Sequence, residues 1–133
     1  MGGTFPPREV FMTAMTPMTP QPDAPLELTA VEVRRLLHES HPGESVVLDC
    51  RTPEEHATAK IAGAILLPMQ ELPERIGELE VWRGKQIFVH CHHGVRSLRV
   101  THWLREKGFS RVSSMLGGID AWSTDVDPSV PRY

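Results

Sequence analysis

The chain has 133 residues, is 40% hydrophobic and 23% charged, and carries a net charge of −3. That size suits one domain with a single core, and the charge supplies no global basic field for nucleic acid. Its cysteines, Cys50 and Cys91, are too few for a disulfide scaffold, and no apolar run is long enough to span a bilayer, so a reduced, cytoplasmic protein is expected.

Residues 1–25 hold half of the twelve prolines and no clean periodicity, which predicts a flexible N-terminal arm. Thr29, followed three residues on by Glu32, forms a capping box. Ala30, Val33, Leu36 and Leu37 then make the apolar face of a first helix. The run SVVLDC ending at Cys50 lies between turn signals and suits a strand buried on both faces. A short helix over PEEHATAK and a second strand over GAILLP follow. Met69, Leu72, Ile76 and Leu79 repeat at helical spacing, with Pro73 in the first turn. IFVHC, ending at Cys91, is a third strand. The pattern turns helical from Val95, with Val100, Trp103 and Leu104 inside and Gly108 as the stop. RVSSML is a fourth strand, GGIDAW opens a last helix, and residues 125–133 form a tail. Strands alternating with helices imply a three-layer α/β domain over residues 26–124, with a parallel sheet of about five strands flanked by helices.

In such sheets, reactive groups gather beyond the carboxyl ends of the strands. Cys91 sits at one such end, and residues His92, His93, Gly94 and Val95 separate it from Arg96, where a helix begins. Gly94 permits a sharp turn, and the amides of that turn and of the helix start make an anion cradle. The same surroundings favour the thiolate, the reactive form of cysteine. Arg96 adds a forked donor for an anionic substrate. Strand, cysteine, glycine-containing loop, arginine and helix together point to a nucleophile.

The run CHHGVRS, from Cys91 to Ser97, resembles the active-site loop of the rhodanese-like family of sulfurtransferases. LDCRTPEEH resembles that family's Asp-x-Arg…Glu segment, IAGAILLP its Gly-Ala segment, and LGGIDAW its closing Gly-Gly…Trp signature. Lys60 and Ala62 depart from the usual corner before the second strand. The resemblance implies a persulfide mechanism with Cys91 catalytic, with His92, His93, Gly94, Val95, Arg96 and Ser97 forming the substrate-binding loop. Asp49, Arg51 and Glu54 (or its neighbour Glu55) would pin the preceding strand-to-helix turn, and Arg99 is a weaker second anion contact. It implies a thiosulfate or persulfide donor, no cofactor and no metal. A protein sulfur acceptor or an adenylating-enzyme partner is suggested by the closing segment, which is similar to modules fused to such enzymes.

Other readings stand beside it. Four residues between Cys91 and Arg96 make a loop one residue shorter than that of the related phosphatases, which argues against a phosphatase or arsenate reductase. A non-catalytic regulatory module is opposed by the intact Cys91. Contiguous His90, Cys91, His92 and His93 alternate faces and do not form a metal-ligand spacing. Cys50 is read as a packed apolar side chain, with a resolving thiol as the alternative. The basic run Arg96, Arg99, Arg105, Lys107 and Arg111 is either a solvated face or a dock for an acidic carrier.

Overall fold

A computed structural model describes residues 24–133. The predicted arm therefore lies outside the described residues except at its end. There Ala24 is buried; its carbonyl accepts from Arg105, and the Pro25 carbonyl accepts from Ser113. Among the described residues, packing thus includes Ala24 and Pro25, which precede Leu26.

The elements run β1 (Glu27–Leu28), α1 (Ala30–Glu39), β2 (Ser45–Asp49), α2 (Pro53–Thr58), β3 (Ile65–Leu66), α3 (Leu72–Arg75), β4 (Gln86–His90), α4 (Val95–Glu106), β5 (Val112–Met115) and α5 (Gly118–Asp125). All strand pairs are parallel, in the order β1-β5-β4-β2-β3. This is the expected α/β layering. The first strand escaped the sequence reading because two residues cannot display an alternation. Thr29 caps α1 with the predicted box: its hydroxyl accepts from Glu32 N–H at 3.1 Å, and its own N–H donates to Glu32 Oε1 at 2.8 Å.

The expected helix from Met69 is broken into a 3₁₀ turn (Met69–Glu71), α3, and a second 3₁₀ stretch (Ile76–Trp82). Pro73 removes a backbone donor and Gly77 adds conformational freedom, so an uninterrupted ladder does not form. Leu72 and Leu79 are nonetheless fully buried, with Met69 and Ile76 packed beside them.

Period-two alternation sorts each central strand between two cores. Val46, Leu48, Cys50, Ile87, Val89 and Cys91 join the core under α4, with Leu104 and Phe109. Val47 and Phe88 join the other core, under α1 and α5, with Val33, Met115, Ile119 and Trp122. The register pairs Asp49 with His90, so the next residues, Cys50 and Cys91, end adjacent strands side by side. From β2 the chain crosses outward to β3, whereas from β4 it crosses the other way to β5. The carboxyl ends of β2 and β4 therefore flank the point where the winding reverses, the crevice such sheets offer to ligands.

Candidate active site

Cys91 leaves β4 facing α4 and is 1% exposed. The loop curls back so that Gly94 N–H donates to its sulfur at 3.0 Å and Ser97 N–H at 3.3 Å. Gly94 has φ 110°, a left-handed conformation that a side chain would strain. That residue immediately precedes α4, and Ser97 brings one of the helix's unpaired first-turn amides to the sulfur. Ser97 Oγ is 3.5 Å from the thiol, donates to Gly94 O at 3.2 Å, and meets Ser114 Oγ at 2.8 Å. Ser114, a buried polar residue of β5, was not singled out from sequence. Its only signal was a serine pair inside an otherwise apolar strand.

The outer side of the loop rests on α5. Ile119 N–H donates to Cys91 O at 2.8 Å and Asp120 N–H to His92 O at 3.2 Å, so a second helix start satisfies the loop's carbonyls. This requires Gly118, at φ 60°, where a Cβ would overlap the Cys91 and His92 carbonyls. The Gly-Gly pair is thus the seat of the loop. Val95 turns to solvent, at 72% exposure. His92 stacks between His93 and Tyr133, each centroid 3.9 Å away.

The second wall comes from the end of β2. Arg51 Nε and Nη2 grip Asp49 Oδ1 and Oδ2 at 2.8 and 2.7 Å, and His56 Nδ1 reaches Oδ2 at 2.8 Å. Burial opposes ionisation of Asp49, but the Arg51 fork, His90 and His56 together hold its carboxyl below the usual range. Both members of the pair are fully buried, and the pair ties the end of β2 to the turn that follows it. The carboxylate that joins this set is Glu55, not Glu54. Glu54 is exposed because the helix turns it outward at the second position. Glu55, at the third, forms a capping box with Thr52 and faces the loop.

Glu55 also takes the fork of Arg96, at 2.7 and 2.9 Å. The Arg96 hydrogen bonds, stronger than the opposing burial, and a further bond from Tyr133 drive its pKa far down. Arg96 therefore stands at the loop's end with its fork answered by Glu55 rather than open for an anion. Of the other basic residues in this run, Arg105 binds the Val112 carbonyl at 2.8 Å, and Lys107 lies 5.6 Å from the Trp103 ring.

Cys50 donates weakly to His90 O at 3.4 Å. Burial, followed by the charges of Cys91 and Asp49, pushes its thiol up, which suits packing better than attack. Among the described residues, His92, His93 and Asp120 bring one ligand atom each within 4.8 Å of one another. The two rings are stacked at 26°, so their in-plane lone pairs run side by side instead of converging on one ion. Arg132 already occupies Asp120 at 2.8 Å.

A rhodanese-like domain model matches residues 29–125. The chain belongs to the rhodanese-like domain family. This rhodanese-like domain is 32% identical over 111 residues to the adenylyltransferase and sulfurtransferase MOCS3-2 of Zea mays, covering 80% of this chain and 23% of that one. It is 34% identical over 77 residues to the thiosulfate sulfurtransferase GlpE of Coxiella burnetii, covering 58% and 70%. A rhodanese-like domain protein from Staphylococcus aureus superposes with a TM-score of 0.67 at 29% identity, covering 80% of this chain and 97% of the other. The rhodanese-like domain spans only 23–31% of the first curated relatives it matches. No helix among its described residues is long and apolar enough to cross a membrane.

Proposed function

We propose that this rhodanese-like domain is a sulfurtransferase working through a Cys91 persulfide. The observation that carries the reading is the sulfur itself, which sits at the centre of a six-residue loop and receives the Gly94 and Ser97 amides. Cys91 thiolate attacks the terminal sulfur of thiosulfate or of a persulfide. A new S–S bond forms as the old one breaks, and sulfite or the donor thiolate leaves with the electron pair. The amides that held the thiolate then face the outer sulfur and stabilise its anionic form. An acceptor nucleophile, such as a thiolate or cyanide, attacks that outer sulfur and returns Cys91 to its thiolate. His92, His93, Gly94 and Ser97 shape the cradle. The buried Asp49–Arg51 pair and Glu55 hold its second wall. A reducing compartment such as the cytoplasm keeps Cys91 ready.

A loop with four residues between Cys91 and Arg96 leaves a narrow ring, suited to one sulfur rather than to tetrahedral phosphate. The likeness to a relative named as both adenylyltransferase and sulfurtransferase supports an acceptor protein activated by an adenylating enzyme. The test is thiocyanate formation from thiosulfate and cyanide, run beside hydrolysis of an aryl phosphate. Turnover in the first assay that disappears in Cys91→Ser is expected. Phosphate release, or no turnover of either kind, would defeat the reading.

A further inference from the structure

Tyr133 joins the two arginine–carboxylate pairs that flank the loop. Arg51 Nη1 donates to its hydroxyl at 2.8 Å, and the hydroxyl donates to Glu55 Oε2 at 2.8 Å. A guanidinium has no acceptor and an ionised carboxylate has no donor, so the phenolic proton has one direction available, toward Glu55. The same Oε2 receives Arg96 Nη2 at 2.9 Å, while Oε1 receives Nη1 at 2.7 Å. An unbroken line of charge-assisted bonds thus runs Asp49–Arg51–Tyr133–Glu55–Arg96, from the end of β2 to the end of the sulfur-holding loop. The Tyr133 ring lies flat on His92, the residue after Cys91, at 3.9 Å and 8°.

We propose that Tyr133 is a positioning residue that sets how much of the Arg96 charge is felt at the Cys91 sulfur, and so favours anionic sulfur donors. The proposal rests on the reading of Cys91 as the attacking sulfur. A carboxylate divides its acceptor capacity among its donors. The hydroxyl, polarised by Arg51, takes up part of the Glu55 charge and leaves Arg96 less fully compensated. Without the hydroxyl, Arg96 answers Glu55 with less help, and the positive potential over the sulfur falls. With Glu55 neutralised, that potential rises.

The test compares alkylation of Cys91 in the full chain by anionic iodoacetate and by neutral iodoacetamide. The Cys91 peptide is followed by mass spectrometry so that Cys50 does not contribute. Tyr133→Phe keeps the ring on His92 and is expected to lower the iodoacetate-to-iodoacetamide rate ratio by roughly two- to fivefold, the scale of one partly exposed charge interaction. Glu55→Gln is expected to raise the ratio, and in that background Tyr133→Phe should have no further effect, because its route is gone. Tyr133 is the chain's one tyrosine, so biosynthetic 3-fluorotyrosine modifies no other residue. Below its ionisation range this stronger donor should raise the ratio without disturbing the fold.

A merely structural tyrosine would move both rates together. An unchanged ratio in the phenylalanine and fluorotyrosine proteins overturns the proposal. So does a Tyr133→Phe effect that persists beside Glu55→Gln, or a Cys91 inert to both reagents. A Cys91 that shows the expected ratios yet takes no sulfur from thiosulfate removes the sulfurtransfer reading and leaves the positioning role intact.

Discussion

His90 and Cys91 are neighbours that strand alternation sends to opposite faces, and their chemistry diverges accordingly. Cys91 meets the amides of α4, whereas His90 points toward Asp49 in a site with no solvent. Burial pushes the His90 pKa down to about 4, with Asp49 opposing. Between that value and the ordinary 6.5, the unfolded chain binds a proton that the folded chain refuses. Stability therefore falls as pH drops through this window, by at most about 1.4 kcal/mol per pH unit and roughly 3 kcal/mol in all. Asp49 acts lower: its depressed carboxyl adds stability above the ordinary carboxylate range, lost on stronger acidification. Urea unfolding of the wild type and of His90→Leu at pH 7 and pH 5 should show a flatter pH dependence in the variant; equal slopes would locate the titration elsewhere. At this scale the sequence revealed what is local, namely Cys91, Gly94 and Ser97 within one loop. The sequence named Glu54 or Glu55, and the choice between them was legible too, since Thr52–Glu55 repeats the capping-box spacing that identified Thr29–Glu32. Tyr133 was not, because its partner Glu55 is 78 residues away and no local pattern links them.

Two helix starts do most to build the site. The start of α4 supplies the Gly94 and Ser97 amides to the sulfur, and the first turn of α5 supplies amides to the loop carbonyls. Gly118 is the element-scale weak point, because a methyl there would drive the loop off its seat. Gly118→Ala is expected to abolish most sulfur loading and to cost more stability than the left-handed backbone alone, which is worth about 1–2 kcal/mol. Gly63 is the control: its φ is +83° but nothing lies within 4 Å of an added Cβ. Gly63→Ala should show only the backbone cost and retain activity. Equal losses in both variants would mean that strain, not the collision with the loop, decides. Helices with caps were legible in sequence for the physical reason that caps satisfy orphan donors with nearby residues. The segment from Met69 to Trp82 was not, since its apolar spacing fits a helix while Pro73 and Gly77 weigh against the backbone ladder.

For the whole molecule, alternating strands and helices announced a parallel α/β domain, but strand order depends on contacts between residues far apart in sequence. That order brings the ends of β2 and β4 together, and with them the pinned turn at Asp49–Arg51 and the loop at Cys91. The segment after α5 belongs to this assembly as well. Val130 is buried in the second core, its carbonyl accepts from Ser123 at 2.6 Å, and Arg132 pairs with Asp120. Removing residues 128–133 should lower the melting temperature by several degrees, through lost apolar burial and an unpartnered Arg51 Nη1. An unchanged melting temperature would show that the segment contributes nothing to the domain. The central claim concerns one atom on one sulfur, and intact-mass spectrometry after incubation with thiosulfate tests it most directly. A gain of about 32 daltons, mapped to Cys91, removed by cyanide and absent in Cys91→Ser, is the predicted result. A wild-type chain that keeps its mass under the same conditions would contradict it.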